Sequence, residues 1–112
     1  MPKTIYISGP ITGFDIIERR EMFRVAKEML LDEGWAVMNP LENGLPDESD
    51  REQHMKRDLH MLTKCDAIFV LPGWDKASGC ICEVFCALQC GMEIITWNRQ
   101  PIDFHETLHM KS

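Results

Sequence analysis

The chain has 112 residues, enough for one domain with a real core and too few for two, and its 45% hydrophobic and 27% charged residues are ordinary for a globule. Eighteen acidic against twelve basic residues give a net charge of −6, which argues against holding a polynucleotide or an anionic membrane by bulk charge and leaves small ligands open. No apolar run approaches the ~20 residues of a membrane span and the polar N-terminal region lacks a signal peptide's apolar stretch, so a single cytoplasmic domain over residues 1–112 is expected.

Thr4-Ile5-Tyr6-Ile7-Ser8 is rich in β-branched and aromatic residues and stops at Gly9-Pro10, which predicts a buried strand running into a turn. From Asp15 to Glu33, Ile16, Ile17, Phe23, Ala26, Met29 and Leu30 recur at helical spacing against Glu18, Arg19, Arg20, Lys27 and Glu28, and Gly34 supplies a stop. Trp35-Ala36-Val37-Met38 is a second short strand ended by Asn39-Pro40. Leu41 to Ser49 carries Asn43-Gly44, Pro46 and three acids and reads as a mobile loop. A second helical pattern runs from Asp50 to Lys64, with Met55, Leu59 and Leu62 as its apolar stripe and Asp58 beside it. Asp66 to Leu71 is the clearest strand; the loop Pro72 to Ser78 follows, then a third helical segment, then a fourth strand over Met92 to Trp97. Residues 98–112 read as a short strand or a short helix.

Strands alternating with helices predict a parallel sheet covered on both faces, a small three-layer α/β sandwich. Ligands of such sheets bind outside the carboxyl ends of the strands, where the strand order switches. Those ends are Ser8 to Gly13, Asn39-Pro40 and Pro72 to Ser78.

The third helix, Ser78 to Gly91, holds one charge, Glu83, among apolar, small and uncharged residues. Gly79 and Cys80 lie one turn before it and Cys86 and Ala87 one turn after, leaving room beside the carboxylate. Ionised carboxylates are rarely buried without a partner, so Glu83 is either the wall of a polar pocket or a partly exposed helix acid. A capping box does not explain it, because Ser78 and Glu83 are five residues apart and the box needs three.

Cys65, Cys80, Cys82, Cys86 and Cys90 are an odd number crowded into one region, which suits reduced thiols rather than a disulfide framework. Cys82, Cys86 and Cys90 form an i, i+4, i+8 stripe expected to pack into the core in preference to binding a soft metal. His105 and His109 lack a third ligand and are read as a solvated face.

Gly9-Pro10-Ile11-Thr12-Gly13 offers backbone amides to an anion or a sugar, or is a tight turn with no ligand. It lacks G-x-G-x-x-G and no Walker lysine follows, so neither NAD nor ATP is expected and no cofactor or metal is implied. Trp74, in Gly73 to Gly79, either stacks on a base or covers the core. Glu83, Asp58 and Tyr6 thus fall along one edge of the sheet, and a paired-acid site without metal suits cleavage of a glycosidic bond.

Ile5-Tyr6-Ile7-Ser8-Gly9-Pro10-Ile11-Thr12-Gly13, Asn39-Pro40, Arg57-Asp58-Leu59, Cys65-Asp66-Ala67-Ile68 and Gly73-Trp74 leading to Gly79-x-x-x-Glu83 resemble the nucleoside 2-deoxyribosyltransferase superfamily, and within it a short bacterial and phage branch related to 2-deoxynucleoside 5'-monophosphate N-glycosidases. The match spans about residues 4 to 97. The resemblance implies a flavodoxin-like, Rossmann-like parallel sheet of four to five strands and cleavage or transfer at the N-glycosidic bond of a nucleoside or nucleotide. It implies Glu83 as nucleophile, Asp58 to hold the sugar or relay a proton, and Tyr6 beside the nucleophile. Ser8, Gly9, Pro10, Ile11, Thr12, Gly13, Asn39, Trp74, Ser78 and Gly79 would then line the substrate. A homo-oligomer is also implied. Two positions depart from the pattern: Thr12 stands where the monophosphate glycosidases carry arginine, and Ala77 where a serine precedes the glutamate by six residues. Ser78, Ser8, Lys76 and Arg20 are the residues at hand to replace those phosphate contacts. The alternative is a protein of the same fold that binds or sequesters a nucleotide without turnover.

Overall fold

A computed structural model of the chain describes residues 2–11, 14–46 and 48–104. Four strands alternate with three helices: β1 (Thr4–Ser8), α1 (Ile16–Asp32), β2 (Ala36–Met38), α2 (Arg51–Leu62), β3 (Ala67–Val70), α3 (Ser78–Gln89) and β4 (Glu93–Thr96). Short 3-10 turns lie at Pro40–Glu42 and Trp74–Lys76. All pairings are parallel and the order is β2-β1-β3-β4, at the lower end of the expected four to five strands. The order switches between β1 and β3, which marks the carboxyl ends of those two strands as the crevice of the sheet.

The side-chain period of two divides the core. Tyr6, Ile68 and Val70 face Leu62 of α2 and Cys80, Val84 and Ala87 of α3. Ile5, Ile7, Ala67, Phe69 and Leu71 face Phe23, Ala26 and Leu30 of α1. Strands covered on both sides read as unbroken apolar runs, which is why β1 and β3 stand out in the sequence. Among the described residues no helix is long and apolar enough to cross a membrane.

The helix ends follow local chemistry. Asp15 caps α1 by accepting from the backbone N–H groups of Ile17 and Glu18 at 2.8 and 3.1 Å. Gly34, just past its end, has φ +95°, a left-handed conformation that glycine adopts without strain. Asp50 and Gln53 form a capping box at the start of α2. Helix α3 has Ala77 at its cap with no side-chain bond, so Glu83 has no capping role.

Three expectations need correction. Ile16 and Ile17, counted in the apolar stripe of α1, are 44% and 76% exposed; the buried positions of the helix are Phe23, Ala26 and Leu30. The cysteine stripe enters the core only in part: Cys82 and Cys90 are exposed, and Cys86 is half-buried and packs against the core on the α3 side. The sheet-facing positions of α3 are Cys80, Glu83, Val84 and Ala87. Cys82 stands about 100° around the helix from Glu83, and Cys90 lies past the last turn. Among the described residues no group of three or more His, Cys, Asp or Glu is arranged to hold a metal ion. Finally, the segment read as a mobile loop opens with the Pro40–Glu42 turn and contains Asn43, which is buried and bonded to α2. His105 and His109 lie outside the described residues.

Candidate active site

Parallel topology and helix pitch together bring Glu83 to β1. Helix α3 starts at the carboxyl edge of the sheet and runs back along it, so a residue in its second turn lies about 7 Å below that edge. Ser8 and Tyr6 occupy that depth on the α3 side of β1. The Ser8 hydroxyl donates to Glu83 Oε1 at 2.8 Å, and the Tyr6 hydroxyl donates to Oε2. Glu83 is 6% exposed, and Tyr6 and Ser8 are fully buried.

Burial dominates the electrostatics. It pushes the Glu83 carboxyl up to about 7, against hydrogen bonds from Tyr6 and Ser8 that favour the anion, while the charge of Asp58 pushes it up further. Burial and the Glu83 charge hold the Tyr6 phenol far above its ordinary value, so it is a permanent donor. Cys80 sits against Ser8; burial and then Glu83 push its thiol up to about 12, with Ser8 and Arg19 pulling the other way. A neutral thiol lines this wall.

Asp58, half-buried on α2, makes its charge felt at both Glu83 and Tyr6. Its own carboxyl is raised by burial and eased by Asn43 and His54. Asn43 Nδ2 donates to Asp58 Oδ1 at 3.0 Å and lies 3.1 Å from His54 Nδ1. The Arg19 side chain is half-buried, with its guanidinium 3.9 Å from the centroid of the Phe14 ring. Its Nη1 donates to Met22 Sδ at 3.6 Å, and its charge is felt at Cys80.

The remaining residues expected at the site are distributed more widely. Ser8 is present but holds Glu83, so its proton is committed to the carboxylate. Gly9 is packed against Leu71: a Cβ there would lie 2.6 Å from Leu71 Cδ1. Pro10 is buried beneath Gly73, and Ile11 packs on the α1 side of the core. Thr12 and Gly13 lie outside the described residues. Asn39 is a cap, its side-chain oxygen accepting from Leu41 N at 3.0 Å. Ser78 accepts from Arg51 at 2.8 Å and ties the starts of α2 and α3 together. Gly79 faces Met55 of α2.

Of the two readings of Trp74, the structure shows the ring covering the core. It is 8% exposed, packs edge-on to Phe104 with centroids 6.5 Å apart, and belongs to the core on the α3 side. It also walls a cavity of about 280 Å³ between the carboxyl ends of β3 and β4, whose lining does not include Glu83, Tyr6 or Asp58. The chemistry and this cavity are separate. Asn43 and His54, which the sequence does not single out, join Asp58 in this cluster; the signal for them was a polar Asn43 before a helix that carries His54 and Asp58 four residues apart.

The fold is shared with solved enzymes of nucleoside chemistry. The 2-deoxyribosyltransferase of Bacillus psychrosaccharolyticus matches with TM-score 0.66 and 24% identity, over 83% of this chain and 70% of that one. The Leishmania mexicana 2-deoxyribosyltransferase matches with TM-score 0.65 and 22% identity, over 85% of this chain and 63% of that longer one. The CMP N-glycosidase BcmB of Clostridium botulinum matches with TM-score 0.58 and 21% identity, over 96% of this chain and 81% of that one. No curated protein matches the chain in sequence. Residues 3–96 match the family model described as a domain of unknown function, DUF4406, and the chain belongs to that family.

Proposed function

We propose that the chain cleaves or transfers the N-glycosidic bond of a nucleoside or nucleotide, with Glu83 as nucleophile. The observation that carries this reading is the double anchoring of Glu83, one oxygen on Ser8 and the other on Tyr6, at the crevice of the sheet. Two hydroxyl donors favour the anion and fix its direction, the combination a carboxylate nucleophile requires. The fold shared with deoxyribosyltransferases and a CMP N-glycosidase supports the same chemistry.

In the first step a Glu83 oxygen forms a bond to C1' of the sugar as the C1'–N bond breaks, and the base leaves with the electron pair and takes up a proton. The second step transfers the sugar from the glycosyl ester to water or to a second base, restoring the carboxylate. Asp58 holds a sugar hydroxyl or relays a proton. Arg19, whose charge reaches Cys80, joins Lys76 and Arg20 as a cation for a 5'-phosphate, since Thr12 and Ala77 stand where an arginine and a serine would bind one. A homo-oligomer completes the proposal.

The test is base release from the 2'-deoxynucleosides and their 5'-monophosphates, separated by chromatography, for wild type, Glu83→Ala and Glu83→Gln. Equal release by all three proteins would sink the assignment. One observation favours a second reading, a binding protein without turnover: with its carboxyl near 7, Glu83 is partly neutral at physiological pH and then donates to a ligand hydroxyl instead of attacking carbon. On that reading a bound nucleotide is recovered intact after hours.

A further inference from the structure

The segment after the Pro40–Glu42 turn is fastened to one face of α2 by residues at positions 54, 57 and 58, a spacing that puts all three side chains on the same side of the helix. Asn43 is the centre of that attachment and is 7% exposed. Its side-chain oxygen accepts from Leu45 N at 3.0 Å, and its backbone carbonyl accepts from Arg57 Nη1 at 3.3 Å. Its Nδ2 faces two groups at once, Asp58 Oδ1 at 3.0 Å and His54 Nδ1 at 3.1 Å.

These partners fix every proton in the network. The Leu45 N–H can only donate, so the Asn43 oxygen must face it and Nδ2 must face α2. Nδ2 carries two hydrogens, one for Asp58 and one for His54, so His54 Nδ1 must offer its lone pair. His54 Nε2, 3.2 Å from the Pro46 carbonyl, must then carry the imidazole proton, because a carbonyl can only accept. The chain of contacts is Pro46 carbonyl, His54, Asn43 amide, Asp58 carboxylate, with every donor matched to an acceptor in the only arrangement that satisfies them all.

The other Asp58 oxygen has a different status. Oδ2 has no donor among the described residues, yet no fully buried side-chain oxygen or nitrogen there lacks a partner. Oδ2 belongs to a half-buried carboxylate whose charge is felt at Glu83 and Tyr6. One oxygen is tethered by Asn43, and the other has no tether among the described residues.

We propose that Asn43 is the positioning residue for Asp58 and that His54 acts through it, as the acceptor that locks the Asn43 amide, so that Asp58 presents Oδ2 to the Glu83 site in one orientation. The presentation to a reacting ligand rests on the reading of Glu83 above; the network itself does not. Without the His54 acceptor the Asn43 amide is held only by the Leu45 N–H and Asp58, one of its Nδ2 hydrogens loses its partner, and the Asp58 tether loosens. Without Asn43 the carboxylate loses a hydrogen bond that favours its charged form.

The nitrogen-by-nitrogen assignment makes the test selective. In His54→Asn the side-chain oxygen occupies the place of Nδ1 and keeps the acceptor for Asn43. In His54→Gln the amide reaches the place of Nε2 and the acceptor at Nδ1 is lost. Full-length wild type, Asn43→Ala, His54→Asn and His54→Gln are compared by thermal unfolding, imidazole nitrogen NMR, titration of the Asp58 carboxyl carbon, and base release from the 2'-deoxynucleosides and their 5'-monophosphates. The expected results are a His54 proton on Nε2, a higher Asp58 titration midpoint in Asn43→Ala and His54→Gln, and a smaller rise in His54→Asn, which keeps the acceptor for Asn43 but loses the imidazole's own effect on Asp58. With a cleaved substrate, kcat falls about tenfold or more in Asn43→Ala and His54→Gln, the loss of one hydrogen bond to a charged group, and stays within about threefold of wild type in His54→Asn. A proton on Nδ1, an Asp58 midpoint unmoved in Asn43→Ala, or His54→Gln behaving as wild type while His54→Asn is impaired would overturn the proposal. If wild type releases no base, the Glu83 reading fails, and the imidazole and carboxyl signals alone decide this one.

Discussion

Tyr6 and Ser8, two residues apart on one face of β1, each hold a different oxygen of the same carboxylate on α3. The spacing follows from the strand: neighbours at i and i+2 lie ~7 Å apart on the same side, which lets two hydroxyls bracket one carboxyl group. A strand residue on the other face, such as Ile7, takes no part and packs against α1.

Replacing Tyr6 by Phe removes one of the two donors that pull the Glu83 carboxyl down toward ionisation. Wild type, if Glu83 attacks as the anion, has an ascending limb in kcat/KM near pH 7 set by that group. In Tyr6→Phe the limb moves to higher pH and kcat/KM at neutral pH falls by roughly 10- to 100-fold, the loss of a hydrogen bond to a charged group. A pH–rate profile of both proteins checks the direction and the size.

The same group couples stability to pH. Its folded value of about 7 is above the ordinary 4.5, so the native state binds the proton more tightly; the contribution is full below about 4.5 and is lost as pH rises through about 7. The loss amounts to about 3 kcal/mol, since each pKa unit is worth about 1.4 kcal/mol. Urea unfolding at about pH 5 and about pH 8 should show this decline in wild type and its absence in Glu83→Gln. The same decline in both proteins would contradict the assignment.

Gly9→Ala tests the turn that follows β1. A Cβ there would fall 2.6 Å from Leu71 Cδ1 and 2.9 Å from Leu71 Cβ, and the second of these atoms cannot swing away. The expected cost is about 1–3 kcal/mol, the range for overpacking a tight core, read as a lower melting temperature.

Arg19→Ala tests the phosphate assignment. If the guanidinium meets a 5'-phosphate, KM for the monophosphates rises about tenfold or more and KM for the free nucleosides changes less than about twofold. Equal effects on both substrates would show that Arg19 serves the fold through Phe14 instead.

The core strands were legible because burial on both faces removes charged residues and favours β-branched and aromatic ones, and the sheet-facing acid was legible because Glu83 is the one charge in α3. Tyr6 and Asp58 were placed on the same edge by the element pattern, and the resemblance added the roles expected of them. The direction of the cysteine stripe was not legible: α3 lacks a charged outer face, so spacing names a stripe without saying which way it points. Trp74 was ambiguous for the same reason, since an aromatic ring at a loop serves a ligand or a core equally well by sequence. Asn43 and His54 stayed hidden because their contacts join a turn to a helix eleven and fifteen residues on, a closure no local pattern encodes. The ends of β2 and β4 shifted by a residue or so, as strand ends do when pairing rather than propensity sets them.

The outward thiols of α3 make the helix its own reporter. Cys65 and Cys80 are buried, their thiols pushed up to about 11 and about 12, and a thiol that stays protonated reacts slowly. Cys82 and Cys90 are exposed, about 12 Å apart along the helix axis at 1.5 Å per residue. A maleimide probe therefore goes to the rim of the helix that carries Glu83 without any engineered cysteine, and a spin-label or fluorophore pair there reads movement of α3 when a ligand reaches its inner face.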